Sequence, residues 1–286
     1  MKKKKTVSLV LGSGGARGLA HIGVIKWLEE NDYKIESISG CSIGALIGGF
    51  YAAGKLDAYT EWLESLSSYN MFKLLDFKGS GGLISGKKLM SELENILGEH
   101  KIEELPIKFT AVATDIDVQK ELWLNKGSLL EAMRASISLP LFFTPHPYKG
   151  RLLLDGGILN PVPIAPTFHD STELTIAVNL GAEDTNLVEL KETKKSDNLI
   201  TKVKEYFIDV AAPNPMETNG MYAISNKSFD TMQSTIARMK LSAYPPDIEI
   251  KIPRNLCGIL EFNRVHELIE YGYEMCKETM KGEKHD

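Results

Sequence analysis

The chain opens with short apolar runs separated by glycine-rich turns. Residues 6–11 read TVSLVL, uncharged throughout and closed by Gly12, the pattern of a strand buried on both faces. Leu19, Ile22, Ile25, Trp27 and Leu28 then recur at helical spacing between Gly18 and Glu30, which predicts an amphipathic helix. KIESIS (34–39) predicts a second strand and residues 42–53 a second helix. Strand, turn and helix in repetition start a parallel sheet with crossover helices. Further on, helices are predicted over 82–98 (GLISGKKLMSELENILG), at 128–136 (SLLEAMRAS, stopped by Pro140), at about 197–210 and 225–240, and from Asn263. Strands are predicted at 107–116 (IKFTAVATDI), 120–125 (KELWLN), 151–157 (RLLLDGG), 173–180 (ELTIAVNL) and 247–252 (DIEIKI). FKGSGG (77–82) and APNPMETNG (212–220) have loop composition.

One stretch fits that scheme poorly. SISGCSIGALIGGFYAAG (37–54) carries no charge over 18 residues, the lower length of a membrane span, and its GALIG spacing suits close helix packing in lipid. Its glycines at 40, 44, 48, 49 and 54 make it too weakly apolar to enter a bilayer on that ground. A buried helix packed on a sheet is the expectation.

The whole composition agrees. At 286 residues, 43% apolar and 25% charged, the chain is that of a globular protein with one large α/β domain or two small ones. A net charge of −5 gives no general reason to bind nucleic acid. Cys41, Cys257 and Cys276 are far apart, with no CxxC pair, which points to a reducing, cytoplasmic setting and away from structural zinc. MKKKKTVSLVLG imitates a leader, but its apolar run breaks at Gly12 before any cleavage site, so no signal peptide is expected. Lys2 to Lys5 form a basic tail that could add about 1 kcal/mol each near an anionic membrane.

Three motifs carry chemistry. In Gly40-Cys41-Ser42-Ile43-Gly44 a serine stands where a strand turns into a helix. Small residues at 40 and 44 permit so sharp a turn, a nucleophile elbow that lifts the hydroxyl into the open. LGSGGARGLAHIGV (11–24) joins the first strand to the first helix through a glycine turn, which can cradle a phosphate or hold an oxyanion. The phosphate reading lacks the GK[ST] of a P-loop, and Arg17 occupies the place of the third glycine of a dinucleotide fold. LLLDGGILNPVP places Asp155 at the end of an apolar strand, before Gly156 and Gly157. Its carboxylate is expected at a sheet edge, as a turn former or, beside the other two motifs, as a general base.

Those motifs in that order, with RASISLP (134–140), YPPDIEIKIP and the ELIEYGYE helix, resemble the bacterial patatin-like phospholipase family over nearly the whole chain. The resemblance implies a three-layer α/β/α fold with a mostly parallel central sheet. It implies one domain over 1–286, with the motifs in about 6–180 and the C-terminal helices and one strand (about 195–286) completing it. It further implies a lipid acyl hydrolase, with no cofactor or metal, whose nucleophile is Ser42 and base Asp155. The amides of Gly14 and Gly15 form its oxyanion hole. Gly12, Arg17, Gly18, Gly40, Gly44, Gly156 and Gly157 are its supporting positions. Ser13 departs from the pattern, standing where many relatives have the first glycine of the turn.

Alternatives remain open at this level. Ser42, Asp155 and His169 follow the chain order of a Ser-His-Asp triad, which would make a soluble carboxylesterase or thioesterase. His21 reads as a packed histidine, and His146 as lying near the mouth. A catalytically idle scaffold is the third reading. Asp115 and Asp117 pair as acids, offer a magnesium site or, with no third ligand in view, shape a loop by hydrogen bonds. Arg17 either braces the turn or meets a phosphate headgroup, while Arg134 and Ser136 are candidate supports. A phospholipid or other acyl ester needs an apolar entrance, for which YNMFKLLDF (69–77), LPLFF (139–143) and LITKVKEYFIDV (199–210) are candidates. An exposed one would dock the protein peripherally on membranes.

Overall fold

The computed structural model describes residues 4–66, 74, 77–78, 83–183 and 221–282. Ten strands occur among them: β1 Lys5–Leu11, β2 Tyr33–Cys41, β3 Phe77–Lys78, β4 Leu83–Ile84, β5 Lys108–Asp115, β6 Lys120–Leu124, β7 His146–Tyr148, β8 Arg151–Asp155, β9 Leu174–Ala182 and β10 Ile248–Pro253. The α-helices are α1 Ala20–Glu30, α2 Ile43–Ala52, α3 Leu56–Ser65, α4 Lys87–Leu97, α5 Leu129–Ser136, α6 Met221–Ala243 and α7 Val265–Gly282.

Eight strands form one sheet in the order β10-β9-β1-β2-β5-β8-β7, with β6 also on β5, while β3 and β4 make a separate hairpin. The run from β10 to β5 is parallel, as expected. Beyond β5 the pairing turns antiparallel, through β6, β8 and β7. Asp155 is therefore not at a sheet edge. β8 lies between β5 and β7, and Asp155 is fully buried.

Alternation along β1 separates the layers. Val7, Leu9 and Leu11 join the main core with Leu19, Ile25, Ile47 and Leu268, whereas Val10 faces a smaller cluster with Val162, Ile164, Ala177 and Ala237 of α6. The sheet is thus covered on both faces, the three-layer arrangement.

The uncharged 37–54 stretch divides between the end of β2 and the ten-residue α2, and Ile43 to Phe50 are all buried. No helix among the described residues is long and apolar enough to cross a membrane. The helix expected over 82–98 is shorter. Leu83–Ile84 pair as β4, Gly86 is left-handed, and the helix begins at Lys87. The pattern predicts none of α3, β3 and β7, and β3 occupies the first two residues of the 77–82 segment read as a loop. The segments 199–210 and 212–220 lie outside the described residues, as do 79–82 and most of 69–77.

Candidate active site

Ser42 is the single residue between β2 and α2, at φ 56°, ψ −126°. A non-glycine backbone there costs about 1–3 kcal/mol and needs support from its surroundings. Small neighbours make the turn sterically possible. A Cβ on Gly44 would sit 2.1 Å from the Leu11 carbonyl oxygen, and one on Gly40 2.5 Å from the Gly44 carbonyl oxygen.

Sheet register brings the carboxylate to the serine. Cys41 pairs with Val112 on β5, and the next residue, Ala113, pairs with Asp155 on β8. Ser42 Oγ donates to Asp155 Oδ2 at 2.5 Å, within the short range of bonds to an ionised acceptor. Oδ1 accepts the Gly157 N–H at 2.7 Å, and the Cys41 thiol lies 3.9 Å from it. Full burial pushes the Asp155 pKa up to about 6, against the lowering effect of the bonds from Ser42, Gly157 and Cys41. A carboxylate so placed is a stronger base than a solvated one yet remains largely ionised at pH 7.

The glycine turn is held amide by amide. The Gly12 N–H donates to the Val178 carbonyl at 3.1 Å, the Ser13 N–H to Pro161 at 2.8 Å and the Ala16 N–H to Ile259 at 3.0 Å. The amides of Gly14 and Gly15 have no acceptor among the described residues. The turn lies close to the pair, since a Cβ on Gly157 would sit 2.9 Å from Ser13 Oγ and 3.0 Å from Asp155 Oδ1, and unspent N–H groups can receive an anionic oxygen.

His21 anchors the same turn. It is fully buried, with Nε2 2.9 Å from the Gly12 carbonyl oxygen. Burial lowers its pKa to about 4, against the raising effect of the Gly12 bond, so the ring is neutral and Nε2–H is the donor. Unfolded histidine takes up its proton near pH 6.5, so His21 contributes stability that is present above that pH and lost as pH falls toward 4. Replacement by Phe strands the Gly12 carbonyl and is expected to cost about 1–3 kcal/mol in urea unfolding at pH 8.

Other expected residues fall into structural places. Arg17 is buried and braces. Its Nη1 donates to the Arg254 carbonyl at 2.7 Å, Nη2 lies 4.0 Å from Asp230, and Nε has no partner among the described residues. A Cβ on Gly18 would strike Ile43, and one on Gly156 the Val112 carbonyl oxygen at 2.2 Å. Asp115 accepts from Val118 N–H and Arg151, a loop-shaping role, and Asp117 is exposed. His146 bonds Glu131, and His169 is exposed. No histidine among the described residues bonds Ser42 or Asp155, so the triad has no geometric basis there. Of LPLFF, Leu141 is exposed while Phe142 is buried with Ile84, and Leu139, Phe143 and Ile259 pack on them.

Two contacts were missed from sequence. Asp155 N–H donates to the Ser138 carbonyl at 3.0 Å, and Thr114 Oγ1 donates to the Asp155 carbonyl at 2.9 Å. Both depend on the antiparallel entry of β8, which an apolar run ending in DGG does not reveal.

The family model for patatin-like phospholipases matches residues 9–168, a span that includes the glycine turn, Ser42 and Asp155. An uncharacterised NTE family protein of Mycobacterium tuberculosis is 34% identical over 328 residues, covering 96% of this chain and 91% of that protein. Patatin-like phospholipase domain-containing protein 6 of Homo sapiens is 28% identical over 287 residues, covering 97% of this chain and 20% of that protein. The crystal structure of VipD from Legionella pneumophila aligns at a TM-score of 0.47 with 16% identity, over 98% of this chain and 67% of that one.

Proposed function

The chain belongs to the patatin-like phospholipase family, and from that premise we propose a lipid acyl hydrolase with Ser42 as nucleophile, Asp155 as general base and the amides of Gly14 and Gly15 as oxyanion hole. The observation that carries it is the 2.5 Å bond from Ser42 Oγ to a buried carboxylate; the glycine turn adds two amides with no acceptor among the described residues.

Ser42 Oγ attacks the ester carbonyl carbon as its proton passes to Asp155 Oδ2. The carbonyl π pair moves onto oxygen, where the two amides receive it; losing such a donor typically costs about 3–4 kcal/mol of barrier. The intermediate collapses, the C–O bond breaks, and the proton on Asp155 goes to the leaving alcohol. Water then gives a proton to Asp155 and attacks the acyl carbonyl, and the proton returns to Ser42 as the fatty acid leaves. One carboxylate serves as base and acid in both halves, which a pKa near 6 suits.

The apolar group of Ile84, Leu139, Phe142, Phe143 and Ile259 touches the glycine turn, since a Cβ on Gly15 would sit 2.4 Å from Ile259 Cγ1. That supports an acyl chain lying along this wall, with exposed Leu141 beside it at a lipid surface.

The test is hydrolysis of short- and long-chain p-nitrophenyl esters and of phospholipid vesicles, with a fluorophosphonate to label the nucleophile. Wild type is expected to be labelled once and to prefer long chains, and Ser42→Ala to take no label. Labelling of Ser42→Ala, or no hydrolysis by labelled wild type, would sink the reading.

A further inference from the structure

Ser42 has a main-chain hydrogen bond that its catalytic role does not use. Its N–H donates to Ser136 Oγ at 2.9 Å, and Ser136 Oγ in turn donates to the Val112 carbonyl at 2.6 Å. Ser136 is the last residue of α5 and is fully buried. Val112 pairs with Cys41, and the residue after it pairs with Asp155. The hydroxyl thus ties the strained elbow to β5, the strand on which β8 pairs with its Asp155. Both bonds fall on one atom, which must accept and donate at once. Serine does that within this space; alanine can do neither.

The adjoining residues secure the other half of the pair. The Ser138 carbonyl accepts the Asp155 N–H at 3.0 Å, and Arg134 Nη1 donates to Ser138 Oγ at 2.6 Å. One short segment therefore holds both the nucleophile and its base.

We propose that Ser136 is a positioning residue for the nucleophile, its hydroxyl holding the Ser42 peptide in the strained positive-φ conformation that keeps Oγ on Asp155; this rests on the dyad reading above. Because the bond is spent on Ser136, the Ser42 amide is not an oxyanion donor, and that task falls to the glycine turn.

A residue that merely fills space would affect stability alone. A positioning residue also changes the titration of the base, since the Ser42 bond is one of those that hold the Asp155 pKa down. The titratable group facing Asp155 is the Cys41 thiol, and Glu121 on β6 acts on that thiol; neither changes in the variants below.

The experiment measures kcat and KM on a soluble p-nitrophenyl ester across the acid limb, with thermal unfolding, for wild type, Ser136→Ala, Ser136→Cys, Ser42→Ala and Asp155→Asn. Ser136→Ala is expected to lower kcat by about 10²-fold, the scale of a small misplacement at a reacting centre. KM should change little and the acid limb should move up in pH. Ser136→Cys, close in size and with a weak S–H donor, should fall between. Wild-type kcat and acid limb in folded Ser136→Ala would overturn the proposal while the dyad stands. If that variant does not fold, Ser136→Cys decides by the same two readouts. Hydrolysis that survives Ser42→Ala overturns the dyad and this proposal together, and that outcome is recognisable because it does not involve residue 136.

Discussion

Asp155→Asn is expected to lower ester hydrolysis by about 10⁴-fold or more and at the same time to make the folded protein more stable at neutral pH. The activity loss follows from removing the one base bonded to Ser42 Oγ. The stability gain follows from linkage. Asp155 titrates at about 6 when folded, against about 3.9 when unfolded. Its favourable contribution is therefore complete below the unfolded value and is lost as pH rises through 6. Keeping the ionised carboxylate buried at pH 7 costs about 3 kcal/mol on that shift. Asparagine has nothing to ionise, so much of that cost disappears, with a rise in melting temperature of several degrees expected. In wild type the same group sets the acid limb, and kcat/KM should fall tenfold per pH unit below about 6.

The variant should also expose an opposing titration. His21, lowered to about 4 by burial, destabilises the fold by about 3 kcal/mol as pH drops from 6.5 to 4. In wild type Asp155 gains a similar amount over nearly the same window, so these two groups leave stability almost level there. Without Asp155 the His21 slope stands alone, and urea midpoints of Asp155→Asn should decline steadily from pH 6.5 to 4. A level profile in the variant, or a lower midpoint than wild type at pH 7, would contradict the buried-charge account.

What the sequence made legible, and what it hid, divides along physical lines. The strand runs TVSLVL and LTIAVNL are readable because strands buried on both faces are uncharged and short. The elbow was readable because a nucleophile between two glycines at a strand–helix junction meets a steric demand set within five residues. Strand direction was not. RLLLD reads the same whether it runs parallel or antiparallel to β5, so Asp155 was placed at an edge when it lies in the interior. The helix over 82–98 was overextended because GLIS suits a helix until β3 supplies a pairing partner. From sequence Ser136 is only a candidate support, because which proton it takes depends on two strands distant in sequence.

Gly23→Ala is the second change expected to act strongly, away from any reacting atom. Gly23 in α1 and Gly272 in α7 sit where the two helices cross. A Cβ on Gly23 would lie 1.9 Å from the Ile269 carbonyl oxygen and 2.5 Å from the Tyr273 nitrogen, and one on Gly272 2.0 Å from the Ala20 carbonyl oxygen. These are main-chain atoms, which cannot swing aside as side chains do, so relief requires the helices to separate. Overpacking typically costs about 1–3 kcal/mol and occasionally more, and a clash with main-chain atoms belongs at the upper end. Activity should fall with it, because α1 continues directly from the Gly15–Leu19 turn and carries His21 on its first turn. Gly282→Ala is the matched control. It lies at the end of α7 with none of the described residues within 4 Å of the added carbon, so its urea midpoint should equal or slightly exceed that of wild type. The contrast bears on how the chain is divided. If β10 and α7 complete the domain that holds the glycine turn, as we propose, one methyl at Gly23 lowers the single unfolding midpoint and kcat together. If the C-terminal elements fold apart from it, Gly23→Ala leaves both unchanged.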